Sequence, residues 1–260
     1  MLDLNNIEFS YTNSRREHFS ILNGVDLHVP KGEVMALIGG NGVGKTTLFN
    51  IVSGIQKGFK GSIYFEGKDI SRLPTHAVSR LGIGRLFQGR QLMDDLTLLD
   101  NFKIASNDTT GEFPFSYLFQ LRRIPQKEQE KEEQARAILT NVFGKDCKYL
   151  DMLDTKAGDF SYGEQRILAI ARLLMGENKL LLLDEPTSGV NPVYIKQFER
   201  IIRNLVDKQN MTILLIEHNM RFVQRVADSC AYLADGKIAT VGKTSEVLGE
   251  QFVRNSYLGL

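Results

Sequence analysis

Gly39-Gly40-Asn41-Gly42-Val43-Gly44-Lys45-Thr46 follows the apolar run Val34–Ile38 and precedes a stretch whose Leu48, Ile51 and Val52 share one helical face. Strand, glycine-rich turn and helix in that order match G-x-x-x-x-G-K-[ST], the phosphate-binding loop. The residue types suit the task. Glycines let successive backbone N–H groups curl around an anion without Cβ clashes. A helix opening at Lys45 adds the positive end of its dipole. Lys45 is then placed for the β- and γ-phosphates and the Thr46 hydroxyl for Mg²⁺. Gly39, Gly40, Asn41, Gly42, Val43, Gly44, Lys45, Thr46 and Thr47 are the candidate cradle of a nucleoside triphosphate.

Further along, Leu180-Leu181-Leu182-Leu183-Asp184-Glu185 reads as a buried strand that delivers two carboxylates at its C-terminal end. Open α/β sheets bind ligands there. Asp184 can hold Mg²⁺, and Glu185 can polarise an attacking water as general base. GTPases commonly give that task to glutamine, so glutamate favours an ATPase of another kind. Met211–Ile216 reads as a second buried strand, and 2–11, 20–29, 62–65 and 82–87 as further strands. Asp235-Gly236 between Ala231–Leu233 and Lys237–Val241 signals a hairpin. Val193–Val206 reads as helix, and strand–helix alternation argues an α/β fold with a mostly parallel sheet. From about 96 to 159 helical patterns dominate, with breaks at Gly111–Pro114 and Pro125 and a charged helix face at Gln126–Arg136 carrying a Glu132/Arg136 pair. The expectation is one domain, 1–260, with its core at 1–95 and 160–260 and a helical insert between.

Composition limits the alternatives. A chain of 260 residues, at roughly 150 per domain, is one large domain or two small ones. Its 32 Lys+Arg balance 31 Asp+Glu, which disfavours a globally basic nucleic-acid binder. No apolar run approaches the roughly 20 residues that span a bilayer, and MLDLNNIEFS has neither a basic region nor an apolar core of a signal peptide. Cys147 and Cys230 form no CxxC pair, which suits a reducing compartment without a zinc site. His18, His28 and His76 have no metal spacing. A cytosolic protein is expected.

Phe160-Ser161-Tyr162-Gly163-Glu164-Gln165-Arg166 resembles the LSGGQ signature of ATP-binding cassette (ABC) ATPases and stands directly before the acidic strand, as in that family. Other family motifs follow in the family's order: Tyr11 is similar to the aromatic that stacks on adenine, Gln88 to the Q-loop glutamine, Ser188–Asn191 to the D-loop and His218 to the switch histidine. Residues 161–166, Gly189–Pro192, Ile216–Met220 and the tail Val253–Gly259 look like the ATPases of branched-chain amino-acid importers; the lipopolysaccharide-export ATPase shares much of this. The resemblance implies a P-loop core with an N-terminal antiparallel β part, ATP and Mg²⁺ as ligands, and Gln88 beside Thr46 and Asp184 at the metal. It implies a homodimer, or a heterodimer with a second ABC ATPase. Each ATP would lie between the P-loop of one subunit and Ser161, Gly163 and Glu164 of the other. Glu185, His218, Gln88 and Lys45 would carry catalysis. Integral membrane permease subunits would dock in part on Gly89–Phe102, holding the chain on the inner face of the membrane; no nucleic acid is implied.

Four positions depart from the family pattern: Phe160, Tyr162, Glu164 and Asn191. Glu164 adds negative charge to a helix meant to face phosphate. A rival reading is a soluble ABC ATPase of translation or DNA repair, but the chain has one cassette and a short insert. A P-loop kinase or GTPase lacks support, with no Asn-Lys-x-Asp segment to read guanine. The cargo, and import against export, are not written in residues of this kind.

Overall fold

The computed structural model describes residues 1–12, 18–89, 91–106 and 124–258. Two compact units emerge: Met1–Gln88 with Lys179–Ser188 and Ile202–Leu260, and Gly89–Asn178 with Gly189–Ile201.

The first unit holds two sheets. Strands β1 (Leu2–Thr12), β2 (His18–Val29), β4 (Lys60–Phe65) and β5 (Lys68–Asp69) form an antiparallel sheet in the order β2-β1-β4-β5. Strands β3 (Val34–Ile38), β6 (Ile83–Leu86), β7 (Leu180–Asp184), β8 (Thr212–Ile216), β9 (Ser229–Ala234) and β10 (Lys237–Lys243) form the second, ordered β10-β9-β3-β8-β7-β6. Pairing is parallel from β6 through β9, and β10 returns antiparallel.

Every residue of β3, β7 and β8 is buried, which is why these strands read as unbroken apolar runs rather than alternations. The pleat still divides them. Met35 and Leu37 join Leu2, Ile7, Leu22, Leu48 and Phe49 in a core shared by both sheets and the helix Lys45–Val52. Ala36 and Ile38 join Val223, Cys230, Val247 and Val253 on the opposite face. Short helices Met220–Val226, Thr244–Val247 and Gln251–Leu258 supply that face. Burial pushes the Cys230 thiol up to about 11, so it behaves as a small apolar side chain. The β9–β10 hairpin has Asp235 and Gly236 at φ 49° and 73°, the pair of positive values a type I′ turn requires.

The second unit contains helices Leu98–Ile104, Ile124–Phe143 and Tyr162–Leu173 and the first turns of Pro192–Gln209. Arg136 donates from Nε and Nη2 to Glu132 Oε1 at 2.9 and 2.8 Å, the i,i+4 pair expected from the charged helix face. The break at Gly111–Pro114 lies outside the described residues. Pro125 is not a break: it falls in the first turn of Ile124–Phe143, where a missing N–H is tolerated. The helical unit also runs beyond the 96–159 span that periodicity suggests. Side chains of Tyr162–Leu173 hold that helix in it: Gln165 Nε2 donates to Ala157 O and Phe160 O (2.9 and 3.2 Å), and the buried Arg166 donates to Gly89 O at 2.7 Å.

Candidate nucleotide site

In the parallel sheet of the first unit, β3, β6, β7 and β8 are neighbours, so their C-terminal ends share one edge. The chain leaves each end carrying a polar group. After β3 comes the glycine loop. Gly42 and Gly44 sit at φ 78° and 108°, and a Cβ on Gly44 would lie 2.8 Å from Leu22 Cδ2. Only glycine lets the loop turn there and pass so close to β2. Gly44 caps Lys45–Val52 with no side-chain hydrogen bond, and the first turn of that helix holds no acid. Its leading N–H groups are left to an outside acceptor.

Lys45 is buried and donates from Nζ to Gly39 O and Gly40 O, 2.8 Å each. Burial holds its ammonium below the ordinary lysine range, and the carboxylates of Glu185 and Asp184 oppose that shift. Thr46 and Asn41 are exposed and Thr47 is half-buried. Beside the loop runs a groove of about 410 Å³ lined by Ser20, Ile21, Asn23, Asn41, Val43 and Asp235, among others.

After β7 come the two carboxylates. Asp184 is 3% exposed, and burial raises its carboxyl above the usual range against the pull of Arg85. Glu185 is bent to φ 47°, a left-handed backbone that is strained for a side-chain-bearing residue, and its N–H is pinned to Ile216 O at 2.9 Å. Gln88, just beyond β6, donates from Nε2 to Glu185 Oε2 at 3.1 Å. His218, beyond β8, places Nε2 3.2 Å from Glu185 Oε1. Lys45, Gln88, Asp184, Glu185 and His218 are thus brought together. Tyr11 takes no part in that network; it is exposed near the end of β1, its ring edge-on to Phe9 at 4.8 Å.

Sequence reasoning passed over Arg85 and Glu217. Arg85 reaches Asp184 Oδ2 (3.2 Å) and, from the other nitrogen, Asn50 Oδ1 and Ser53 Oγ (2.8 and 2.9 Å). It packs between the rings of Phe49 and Phe87. Burial lowers its pKa while Asp184 opposes. The signal was a lone arginine inside an otherwise apolar strand. Glu217 accepts from Thr187 N and Thr187 Oγ1 with one oxygen and from His218 N and Asn219 N (2.9 and 3.0 Å) with the other. It joins the turn after β7 to the turn after β8, fixing where His218 starts.

Among the described residues no three His, Cys, Asp or Glu side chains cluster as a metal cage. Thr46, Gln88 and Asp184 offer oxygen ligands from three elements. That set fits Mg²⁺, which keeps waters and takes further ligands from substrate phosphates.

The second unit holds the signature. Ser161 caps Tyr162–Leu173 in a reciprocal capping box with Glu164. Glu164 Oε2 accepts from Ser161 N and Oγ (2.9 and 2.7 Å), and Lys148 pairs with Oε1. Burial alone would raise the Glu164 carboxyl; the bonds from Lys148 and Ser161 outweigh it and hold it below the usual range. The added negative charge therefore turns inward and is matched within the unit. Phe160 packs on Tyr149, ring centroids 6.0 Å apart. Asn191 caps the following helix, its Oδ1 accepting from Val193 N at 3.0 Å.

The family model for ABC transporters matches residues 22–188. The chain is 33% identical over 238 residues to the high-affinity branched-chain amino acid transport ATP-binding protein BraF of Pseudomonas aeruginosa, covering 92% of this chain and 91% of that one. It is 37% identical over 239 residues to the probable branched-chain amino acid transport ATP-binding protein LivG of Archaeoglobus fulgidus, covering 92% and 89%. Its fold matches the ADP conformation of MJ1267, an ATP-binding cassette of an ABC transporter, with a TM-score of 0.81 at 32% identity over 100% of this chain and 99% of that one.

Proposed function

The chain belongs to the ABC transporter family of ATP-binding subunits, and from that premise we propose that it powers a transporter whose membrane-spanning subunits are separate chains and whose imported cargo is a branched-chain amino acid. The family's members hydrolyse ATP. The observation that carries the reading is the meeting of Lys45, Gln88, Asp184, Glu185 and His218 along one edge of the parallel sheet.

In this proposal the N–H groups of Gly39–Thr47 and the Lys45 ammonium bind the triphosphate, and Tyr11 stacks on adenine. Thr46, Asp184 and Gln88 would hold Mg²⁺, which would supply neutralisation of the charge on the triphosphate. Glu185 takes the proton of the attacking water. Gln88 and His218, one on each carboxylate oxygen, set the direction of that base. Arg85 keeps Asp184 aimed as a positioning residue. Ser161 and Gly163 meet the γ-phosphate of ATP held by a second subunit, so ATP joins the two copies and hydrolysis parts them. No helix among the described residues is long and apolar enough to cross a membrane, so attachment to the membrane falls to the permease.

The test is purification of the chain from native membranes. A copurifying membrane-spanning protein, with ATP hydrolysis stimulated by branched-chain amino acid and its binding protein, supports the proposal. ATPase activity stimulated by ribosomes or DNA, with no membrane partner, overturns it.

A further inference from the structure

Glu217 directly follows β8 and is 3% exposed. Its carboxylate takes four hydrogen bonds. Oε1 accepts from Thr187 N at 3.0 Å and from Thr187 Oγ1, 30 residues earlier in the chain. Oε2 accepts from His218 N and Asn219 N at 2.9 and 3.0 Å. All four donors are neutral groups. A charge this deeply buried is unfavourable unless its hydrogen bonds are complete, so the position calls for something an uncharged side chain lacks. That is a pair of acceptors side by side. Glutamine has the same shape but one acceptor and one NH₂ group. Whichever way it turned, the NH₂ would face N–H groups on one of the two turns.

Those two turns carry groups that meet at the site. The pairing of β7 with β8 ends at Asp184↔Ile216, and Glu185 N adds one bond to Ile216 O at 2.9 Å. Glu217 continues the link past the end of the sheet. On the β7 side, Thr187 lies in a turn closed by Ser188 N on Glu185 O at 3.2 Å. On the β8 side, Asn219 caps Met220–Val226, its Oδ1 accepting from Phe222 N at 3.2 Å. The backbone of His218 is thus held by Glu217 before it and by a helix cap after it. The ring depends on that backbone. Its Nε2 stands 3.2 Å from Glu185 Oε1, yet 36% of the side chain faces solvent, so packing alone does not fix it.

We propose that Glu217 is the positioning residue for His218. It ties the histidine's backbone to the turn that follows Glu185, and so sets the contact through which Nε2 aims the general base. This rests on the reading above, in which Glu185 takes the proton of the attacking water. Glu217 touches no reacting atom, and its effect on turnover runs through His218.

The experiment is a double-mutant cycle on the full chain, read as ATP hydrolysis with Mg²⁺ over a range of ATP concentrations. Glu217→Gln should lower kcat roughly tenfold or more, since misplacing a group at the site by about 1 Å can cost up to ~10²-fold. The KM for ATP should not move, because the phosphate cradle is untouched. In the His218→Ala background the same substitution should lower the residual rate no further, since no ring is left to place. A merely structural role predicts the same fractional loss in both backgrounds. Thr187→Val removes one bond of the four and should repeat the pattern with a smaller loss; it decides the matter by the same comparison if Glu217→Gln fails to fold. An equal loss with and without His218, a raised KM at unchanged kcat, or undiminished turnover in Glu217→Gln overturns the proposal and leaves Glu185 and His218 in their roles. Undiminished turnover in His218→Ala alone means instead that the reading of the site fails, and the proposal falls with it.

Discussion

Two helices of this chain begin at residues proposed to meet phosphate, and they begin in opposite ways. Lys45–Val52 starts at a glycine, with no side chain on its first N–H groups and no acid in its first turn. Tyr162–Leu173 starts at a serine whose reciprocal partner, Glu164, fills the same space with a carboxylate. One helix end is open to an anion from solvent; the other already holds an anion of its own. A helix N-terminus by itself thus says little about ligand binding. What occupies its third position decides whether the dipole is available.

Four substitutions press on that contrast, the first two at the floor of the open end. Glu185→Gln should lower turnover by about 10²–10⁴-fold, the usual weight of general base catalysis, with ATP still bound. Unchanged phosphate release would remove Glu185 from the chemistry. Arg85→Met keeps an apolar stem between Phe49 and Phe87 but leaves Asp184 buried without its cation; breaking such a pair costs about 3–5 kcal/mol. Urea unfolding reads the loss, and a loss below 1 kcal/mol would demote the ion pair. Thr47→Glu copies the closed end onto the open one, since Thr47 holds the position in its helix that Glu164 holds in the other. ATP affinity should fall about tenfold from the opposed charge; equal titration curves would erase the distinction drawn above.

The smallest effect is at the closed end. Glu164→Gln should cost about 1 kcal/mol of stability at neutral pH, as loss of a cap does. Glu164's carboxyl is held below its ordinary value of 4.5 in the fold, so its contribution is present above that pH and fades as pH falls through the folded value. The deficit of Glu164→Gln should therefore be full at pH 7 and shrink as pH falls below 4.5, and a deficit that stays constant down the acid range would place the contribution in shape rather than charge.

Most of the first unit could be read from the chain because its strands are uniformly buried and its turns chemically explicit. Val34–Ile38, Leu180–Asp184 and Thr212–Ile216 stand where unbroken apolar runs put them, and Asp235-Gly236 turns as that dipeptide predicts. Thr75–Arg80, Met220–Val226 and Thr244–Val247 escaped, since fewer than two full turns carry too little of a 3.6-residue period to stand out. At the site, Lys45, Asp184 and Glu185 were legible from motif chemistry. Arg85 was not: one arginine in a strand reads as an outward-facing residue until its partners on two other elements are known. The same holds for Glu217, whose partner Thr187 lies 30 residues away in sequence.

The Lys45 ammonium seated on the carbonyls of Gly39 and Gly40 has a bearing on how its removal would be interpreted. It serves as a tent pole, its two bonds keeping the glycines from folding inward. Alanine at this position would let the tent sag before any nucleotide arrived. The affinity lost would combine a missing attraction with a lodging that must be raised anew at each encounter, and would show as slower association as well as faster escape.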